Sequence, residues 1–193
     1  MDKSEPLARS RAADIAATWK LERPDLDLSG FLLAVYLMRL GRVVDDAYDR
    51  MCRRQFGISG ADMRVLFALR RAGKPFARRA TDLYRALLVT SGAITKQVDR
   101  LSAIGLVERG PTSPDSGTLV RLTPKGLKAA NGAFDSLTRD SVIAQAMNAL
   151  SAKQRSAGYA LCEHLLLELE EHAFKDIPRR ARARVKRRSK NSR

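Results

Sequence analysis

The stretch TDLYRALLVTSGAITKQVDRL, residues 81–101, continued by IGLVERGPTSPDSGTLVRLTPKG, residues 104–126, decides the fold. Thr81 can cap a short helix carrying Leu83, Leu87 and Leu88. A tight Val89-Thr90-Ser91 link then leads into a second helix, residues 92–104, where Ile94, Val98 and Leu101 recur at i, i+4 and i+7 and form one apolar stripe. Thr95, Lys96, Asp99 and Arg100 fall on the opposite face, and Gly105 ends the helix. Two β-type runs, 106–109 and 118–123, enclose a Pro- and Gly-rich tip at 110–117, the pattern of a hairpin. Taken alone, residues 80–104 also suit a helical hairpin in an all-α bundle. The hairpin that follows favours a winged helix-turn-helix, whose second helix enters the major groove while the wing follows the backbone or the minor groove.

Working outward, residues 7–22 carry Ile15, Ala16 and Trp19 as a short amphipathic arm helix, which Pro24 stops. Ser29 is a suitable N-cap for a helix over 30–56 that is apolar on nearly all sides at first (Phe31, Leu32, Leu33, Val35, Tyr36, Leu37, Leu40), the mark of a buried or dimer-forming helix. Ser59 and Asp62 form a variant capping box for a helix with Met63, Leu66, Phe67 and Leu69 inward, closed at Gly73. Thr123-Pro124 opens a long helix expected to run to about Leu150. Ser151 with Gln154 caps a last helix with Leu161, Leu165 and Leu169 on one stripe. The expected fold is mainly α with a small β-hairpin wing, a winged helix-turn-helix plus a helical dimerisation region. Its parts are an arm at 1–28, a unit at 29–174 (winged domain about 59–123, dimerisation helices about 29–56 and 124–173) and a basic tail at 175–193.

The 193 residues contain 36 Lys and Arg against 21 Asp and Glu, a formal charge of +15 that makes polyanions the leading partner class. Ten of those cations lie in residues 175–193 with one acid, in a segment with too few apolar residues to fold alone. The tail is expected to be disordered, either adding sequence-independent affinity for phosphates or only solubilising the chain. The longest apolar run, Phe31 to Met38, is too short to span a bilayer, and without an apolar h-region after Met-Asp-Lys-Ser-Glu no secretory signal is expected. Two cysteines, Cys52 and Cys162, suit a reducing cytoplasm rather than a disulfide scaffold. Cys52, flanked at i±4 by Tyr48 and Phe56, reads as a small buried hydrophobe before it reads as a redox thiol. His164 and His172 stand two helical turns apart, too far to share an ion. With no phosphate loop, H-E-x-x-H or G-x-S-x-G, neither an enzyme nor a cofactor or metal is expected.

The residues 81–101, GLVER (105–109) and VRLTPKG (120–126) resemble the MarR family of bacterial regulators over about residues 30–172. The resemblance implies a homodimer whose terminal helices build the dimer and whose winged domains bind a pseudopalindromic operator in double-stranded DNA. It also implies that a small aromatic molecule relieves repression. The arm WKLERPDLD (19–27) and LVTSGAIT (88–95) are similar to the urate-responsive branch, which binds its ligand with a Trp on the arm helix, an Asp and two Arg. Those positions fall on Trp19, Arg64, Gln97 and Arg109. Trp19 and Arg109 match, whereas Arg64 stands in place of the acid and Gln97 in place of an arginine. With no acid among the four, a flat monoanion such as a small aromatic carboxylate is expected instead of urate, held between the arm helix, the second helix and the winged domain. The wing also departs from the family, since Asp115-Ser116-Gly117-Thr118 lacks the usual arginine at the tip.

The expected DNA contacts are therefore Ser91, Thr95, Lys96 and Arg100 on the recognition helix, with Arg109 and Arg121 on the wing strands meeting phosphates. Asp99 is expected to orient Arg100 or a wing arginine. Trp19 either stacks on the ligand or anchors the arm. Arg109 is open to three partners: the ligand, a phosphate, or an acid such as Glu108 or Asp115. The competing functional class is an architectural protein that coats nucleic acid without a ligand switch.

Overall fold

The computed structural model describes residues 11–113 and 117–176. The tip residues 114–116 and the tail beyond residue 176 lie outside them, as do residues 1–10, so the expectations made for the wing tip and most of the tail are not addressed. The elements run α1 (Arg11–Glu22), α2 (Ser29–Phe56), α3 (Gly60–Arg70), β1 (Ala77–Arg79), α4 (Ala80–Ala86), α5 (Ser91–Ala103), β2 (Val107–Ser113), β3 (Gly117–Leu122), α6 (Pro124–Asp135), α7 (Val142–Asn148) and α8 (Ala152–Asp176). The chain divides into two compact units at Ala144/Gln145.

In the first unit, α3 is the centre of the core. Met63, Val65, Leu66, Ala68 and Leu69 are all buried, so more than one face of the helix is covered. Leu83 of α4, Ile94, Val98 and Leu101 of α5, Val107, Val120 and Leu122 of the sheet, and Ala130 and Ala133 of α6 complete the same cluster. Helix α2 closes it with Tyr48, Met51 and Cys52. Ser59 caps α3 as expected, accepting from the Asp62 N–H at 3.1 Å while its hydroxyl donates to the Asp62 carboxylate at 2.8 Å. A second acid assists from the neighbouring helix: Asp49 accepts from the Gly60 N–H at 2.7 Å. The Arg53 guanidinium and then that N–H hold the Asp49 carboxyl below its ordinary range, so this tie persists above about pH 4 and weakens in acid.

The sheet has three strands in the order β1-β3-β2, all antiparallel. Strand β1, with Ala77 opposite Arg121 and Arg79 opposite Leu119, is absent from the sequence reading. Three residues, two of them arginine, carry no alternation to detect. Strand β2 runs past the expected Arg109 to Ser113, and its register shifts between Arg109 and Thr112. Pro111 lies within that shift; it has no N–H for the ladder, which accounts for a bulge there.

Three end positions differ from expectation. The cap of α2 is Leu28, and Ser29 is already helical, its N–H and hydroxyl both donating to Asp27. Helix α4 starts at Ala80 after Arg79, which puts Thr81 inside the helix. The long helix expected over 124–150 is broken. Ser136–Asp140 forms a wide π-helical turn, Ser141 turns extended, and its hydroxyl accepts from the Ala144 N–H to start α7. Serine competes for backbone groups in this way, and Asp140-Ser141 was the overlooked signal.

The link between α4 and α5 is a Schellman turn. The Val89 N–H donates to the Tyr84 carbonyl at 3.1 Å and the Leu88 N–H to Arg85 at 3.4 Å. Leu88 takes the left-handed conformation, φ +53°, that this motif usually gives to glycine, and its side chain is exposed. At the far end of α5, the start of α6 supplies the cap. The Thr123 hydroxyl donates to the Gly105 carbonyl at 2.8 Å, and Lys125 Nζ donates to Ile104 at 2.9 Å. Gly126 makes this approach possible, because a Cβ there would overlap the Leu106 carbonyl oxygen.

The second unit is described by itself. Ser151 and Gln154 form the expected capping box, with the Ser151 N–H donating to the Gln154 side chain at 2.9 Å and the Gln154 N–H to the Ser151 hydroxyl at 3.3 Å. Helix α8 leaves Tyr159, Leu161, Leu166, Leu167 and Leu169 exposed.

Two stability outcomes follow in thermal or denaturant unfolding. Gly126→Ala should lose about 3 kcal/mol or more, because the obstacle is backbone rather than a flexible side chain. Leu88→Gly should gain about 1 kcal/mol by relieving the left-handed strain at an exposed position. No loss in the first, or a clear loss in the second, contradicts these geometries.

Candidate nucleic-acid interface

Helix α5 is built for two environments. Thr90 takes the N-cap, extended, with its hydroxyl accepting from the Ala93 N–H at 3.2 Å. Ile94, Gln97, Val98 and Leu101 are buried, while Ser91, Thr95, Lys96, Asp99 and Arg100 are exposed. The first turn holds no acid, so the positive end of the helix dipole and Lys96 act together on any approaching phosphate. The Thr95 hydroxyl donates back to the Ser91 carbonyl at 3.0 Å.

The arginines nominated from sequence all have carboxylate partners. Arg100 grips Asp62 with both edges of its fork, Nη2 to Oδ1 at 2.6 Å and Nε to Oδ2 at 3.3 Å. Asp62 is only 5% exposed, and this bond raises the Arg100 guanidinium above its already high ordinary value. Arg109 pairs with Asp99, so Asp99 holds a wing arginine and not Arg100. Arg121 lies 3.7 Å from Glu108, its directly opposite neighbour across the hairpin. Among the described residues, Lys96 has no ion-pair partner.

The four residues taken from the ligand-binding resemblance are not partners of one another. Trp19 meets Phe31 of α2 edge-on at 5.6 Å, which anchors the arm helix. Arg64 pairs with Asp45 of α2 and lies 5.1 Å above the Tyr48 ring. Gln97 is 7% exposed, and its Oε1 has no hydrogen-bond partner among the described residues. Arg109 is held by Asp99. Although the set itself holds no acid, Asp45 and Asp99 supply one to each of its arginines from outside it. Cys52 is fully buried, and burial foremost pushes its thiol up, away from the reactive thiolate.

Two features escaped the sequence reading. Asp62 was read as a helix cap alone, although its place among Met63, Val65 and Leu66 put it on the inward side of α3, where a carboxylate requires a cation. Asp45 carried no local signal, since its partner lies 19 residues away, whereas the pairing of Asp99 with Arg109 agrees with the expectation that Asp99 orients a wing arginine.

Comparison with known proteins agrees with this geometry. Residues 56–116 match the model of the MarR family. Over 120 residues the chain is 31% identical to the HTH-type transcriptional regulator PecS of Dickeya dadantii (strain 3937), covering 62% of this chain and 72% of that protein. A MarR mutant from E. coli complexed with operator DNA superposes with a TM-score of 0.56 at 27% identity, over 73% of this chain and 99% of the other. Sco5413, a MarR family regulator from Streptomyces coelicolor, shares the fold at a TM-score of 0.64 and 22% identity, over 75% and 98% of the two chains. A capped recognition helix, a two-stranded wing beside it and these relatives lead to one conclusion: the chain belongs to the MarR family of DNA-binding transcriptional regulators.

Proposed function

We propose that this regulator is a cytoplasmic homodimeric repressor that reads a pseudopalindromic operator through α5 and releases it when a small aromatic carboxylate binds. The observation that carries the DNA reading is the exposed face at the start of α5. Ser91, Thr95 and Lys96 stand there on the positive end of the helix, with the apolar stripe locked beneath them. Lys96 meets phosphate or guanine, and Thr95, its hydroxyl engaged by the helix, offers a methyl group to thymine. Arg109 and Arg121 meet phosphates beside the wing. The operator-bound relative of the same fold supports this docking.

Dimerisation is supported by apolar surface in each unit. Phe31, Leu33, Tyr36, Met38 and Leu40 are exposed on α2, and α8 exposes its own leucines. Helices with such surfaces are expected to bury them against a second copy. No helix among the described residues is long and apolar enough to cross a membrane.

Placement in the urate-responsive branch rests on the arm helix α1 and its Trp19. An aromatic carboxylate reaching Arg64 or Arg109 has to displace Asp45 or Asp99. Exchange at Arg109 frees Asp99 on α5, which places a negative charge beside DNA phosphates and loosens the wing, a direct route to release.

A footprint over the upstream region of the protein's own gene should show a protected pseudopalindrome with half-sites about one helical turn apart. Uniform coating would instead favour an architectural protein. Lys96→Ala should weaken binding to all sequences and lower the salt slope by about one unit. In calorimetry, substituted benzoates should bind and urate should not, with Arg64→Ala and Trp19→Ala weakening the benzoates. Tight urate binding overturns the ligand assignment.

A further inference from the structure

We infer that Arg100 is a positioning residue and not a DNA contact: its fork on the buried Asp62 carboxylate fixes the roll of the recognition helix, and operator specificity depends on that bond. The inference rests on α5 being the reading helix.

Asp62 is satisfied by three donors. Oδ1 accepts from Arg100 Nη2 at 2.6 Å, and Oδ2 accepts from Arg100 Nε at 3.3 Å and from the Ser59 hydroxyl at 2.8 Å. The Ser59 hydroxyl in turn accepts from the Asp62 N–H. The carboxylate is thus fixed on α3 before α5 is considered, and α3 is the most buried helix of the unit. Arg100 is half-exposed, with its side chain at 55% of full exposure, but its fork points inward to a partner that is 5% exposed. A planar, two-pronged bond defines an orientation, which a single ammonium contact does not.

The apolar stripe cannot perform this task alone. Ile94, Val98 and Leu101 fix the depth of α5, but aliphatic packing tolerates small rotations about the helix axis. A rotation that moves Thr95 and Lys96 by an ångström changes which base edges they reach, since base readout requires hydrogen-bond geometry. Asp62 also has a competing claim on Arg100. For a phosphate to recruit that guanidinium, a nine-tenths buried carboxylate must be left without its cation, which is a costly exchange. Phosphate affinity at this end of the helix is left to Lys96.

The two roles predict opposite responses. The probe is a duplex selected from a random-sequence pool by the wild-type protein, measured against a scrambled duplex across a salt series. For a positioning role, Asp62→Asn and Arg100→Gln each reduce affinity for the selected duplex about tenfold or more. Both leave the scrambled duplex and the salt slope unchanged, and the double variant is no worse than either single one. Arg100→Lys, which keeps the charge but not the fork, behaves like Arg100→Gln. For a DNA-contact role, Asp62→Asn frees the arginine and binding holds or tightens, Arg100→Gln lowers the salt slope by about one unit, and Arg100→Lys retains most of the affinity. Any of these three results overturns the inference. Should Asp62→Asn fail to fold, Arg100→Lys at a half-exposed position still decides it. A wild-type protein that selects no sequence refutes the DNA reading itself, a failure distinct from that of the bond.

Discussion

A carboxylate buried at the start of α3 has to find a cation, and the cation it finds belongs to the recognition helix. That constraint organises the winged domain. Asp62 is committed to its own helix through Ser59, so Arg100 must come to it, and α5 must lie across α3 in the orientation that allows the fork to close. The hydrophobic core then fills in around a geometry already specified by a directional bond. Burial supplies most of the stability, while the polar pair selects one arrangement among the many that aliphatic packing tolerates.

The same kind of link recurs along the domain. Asp45 of α2 holds Arg64 of α3, Asp62 of α3 holds Arg100 of α5, Asp99 of α5 holds Arg109 of β2, and Glu108 of β2 faces Arg121 of β3. These pairs tie α2, α3, α5, β2 and β3 in sequence, each link made of one acid and one arginine. The links differ in weight. Asp62–Arg100 has a buried member, whereas the other three lie between half-exposed groups and are screened by water and salt. A strong inner bond therefore holds the reading helix, and weaker outer bonds hold the arm-side helix and the wing. Weak bonds are where a charged ligand or a phosphate can intervene at low cost. The bond that orients the reading helix and the bonds open to exchange thus occupy different rungs of one ladder.

Much of this was legible in the sequence, for identifiable reasons. The stripe Ile94, Val98, Leu101 announced α5, and Thr123-Pro124 announced α6, because caps and periodicity are local signals. The π-helical turn and Ser141 were missed because no Gly or Pro marks the break, and Phe134 and Leu137 before it and Val142 and Ile143 after it suit one continuous helix. The polar Asp140-Ser141 is the signal that ends it. Strand β1 was missed because its Ala-Arg-Arg gains its strand character from pairing with β3 and not from its own side chains. The site was legible as residue types and only in part as partnerships. The pairing of Asp99 with a wing arginine was legible, because both lie on the same exposed face, whereas the acid that holds Arg100 inward was not, since nothing in a linear pattern connects Asp62 to Arg100.

The most direct test is a crystal structure of the protein on a selected operator duplex. The account predicts that Ser91, Thr95 and Lys96 reach base edges or phosphates in the major groove while the Arg100 fork remains closed on Asp62. An Arg100 side chain turned out to a phosphate, with Asp62 left to Ser59 alone, would contradict it.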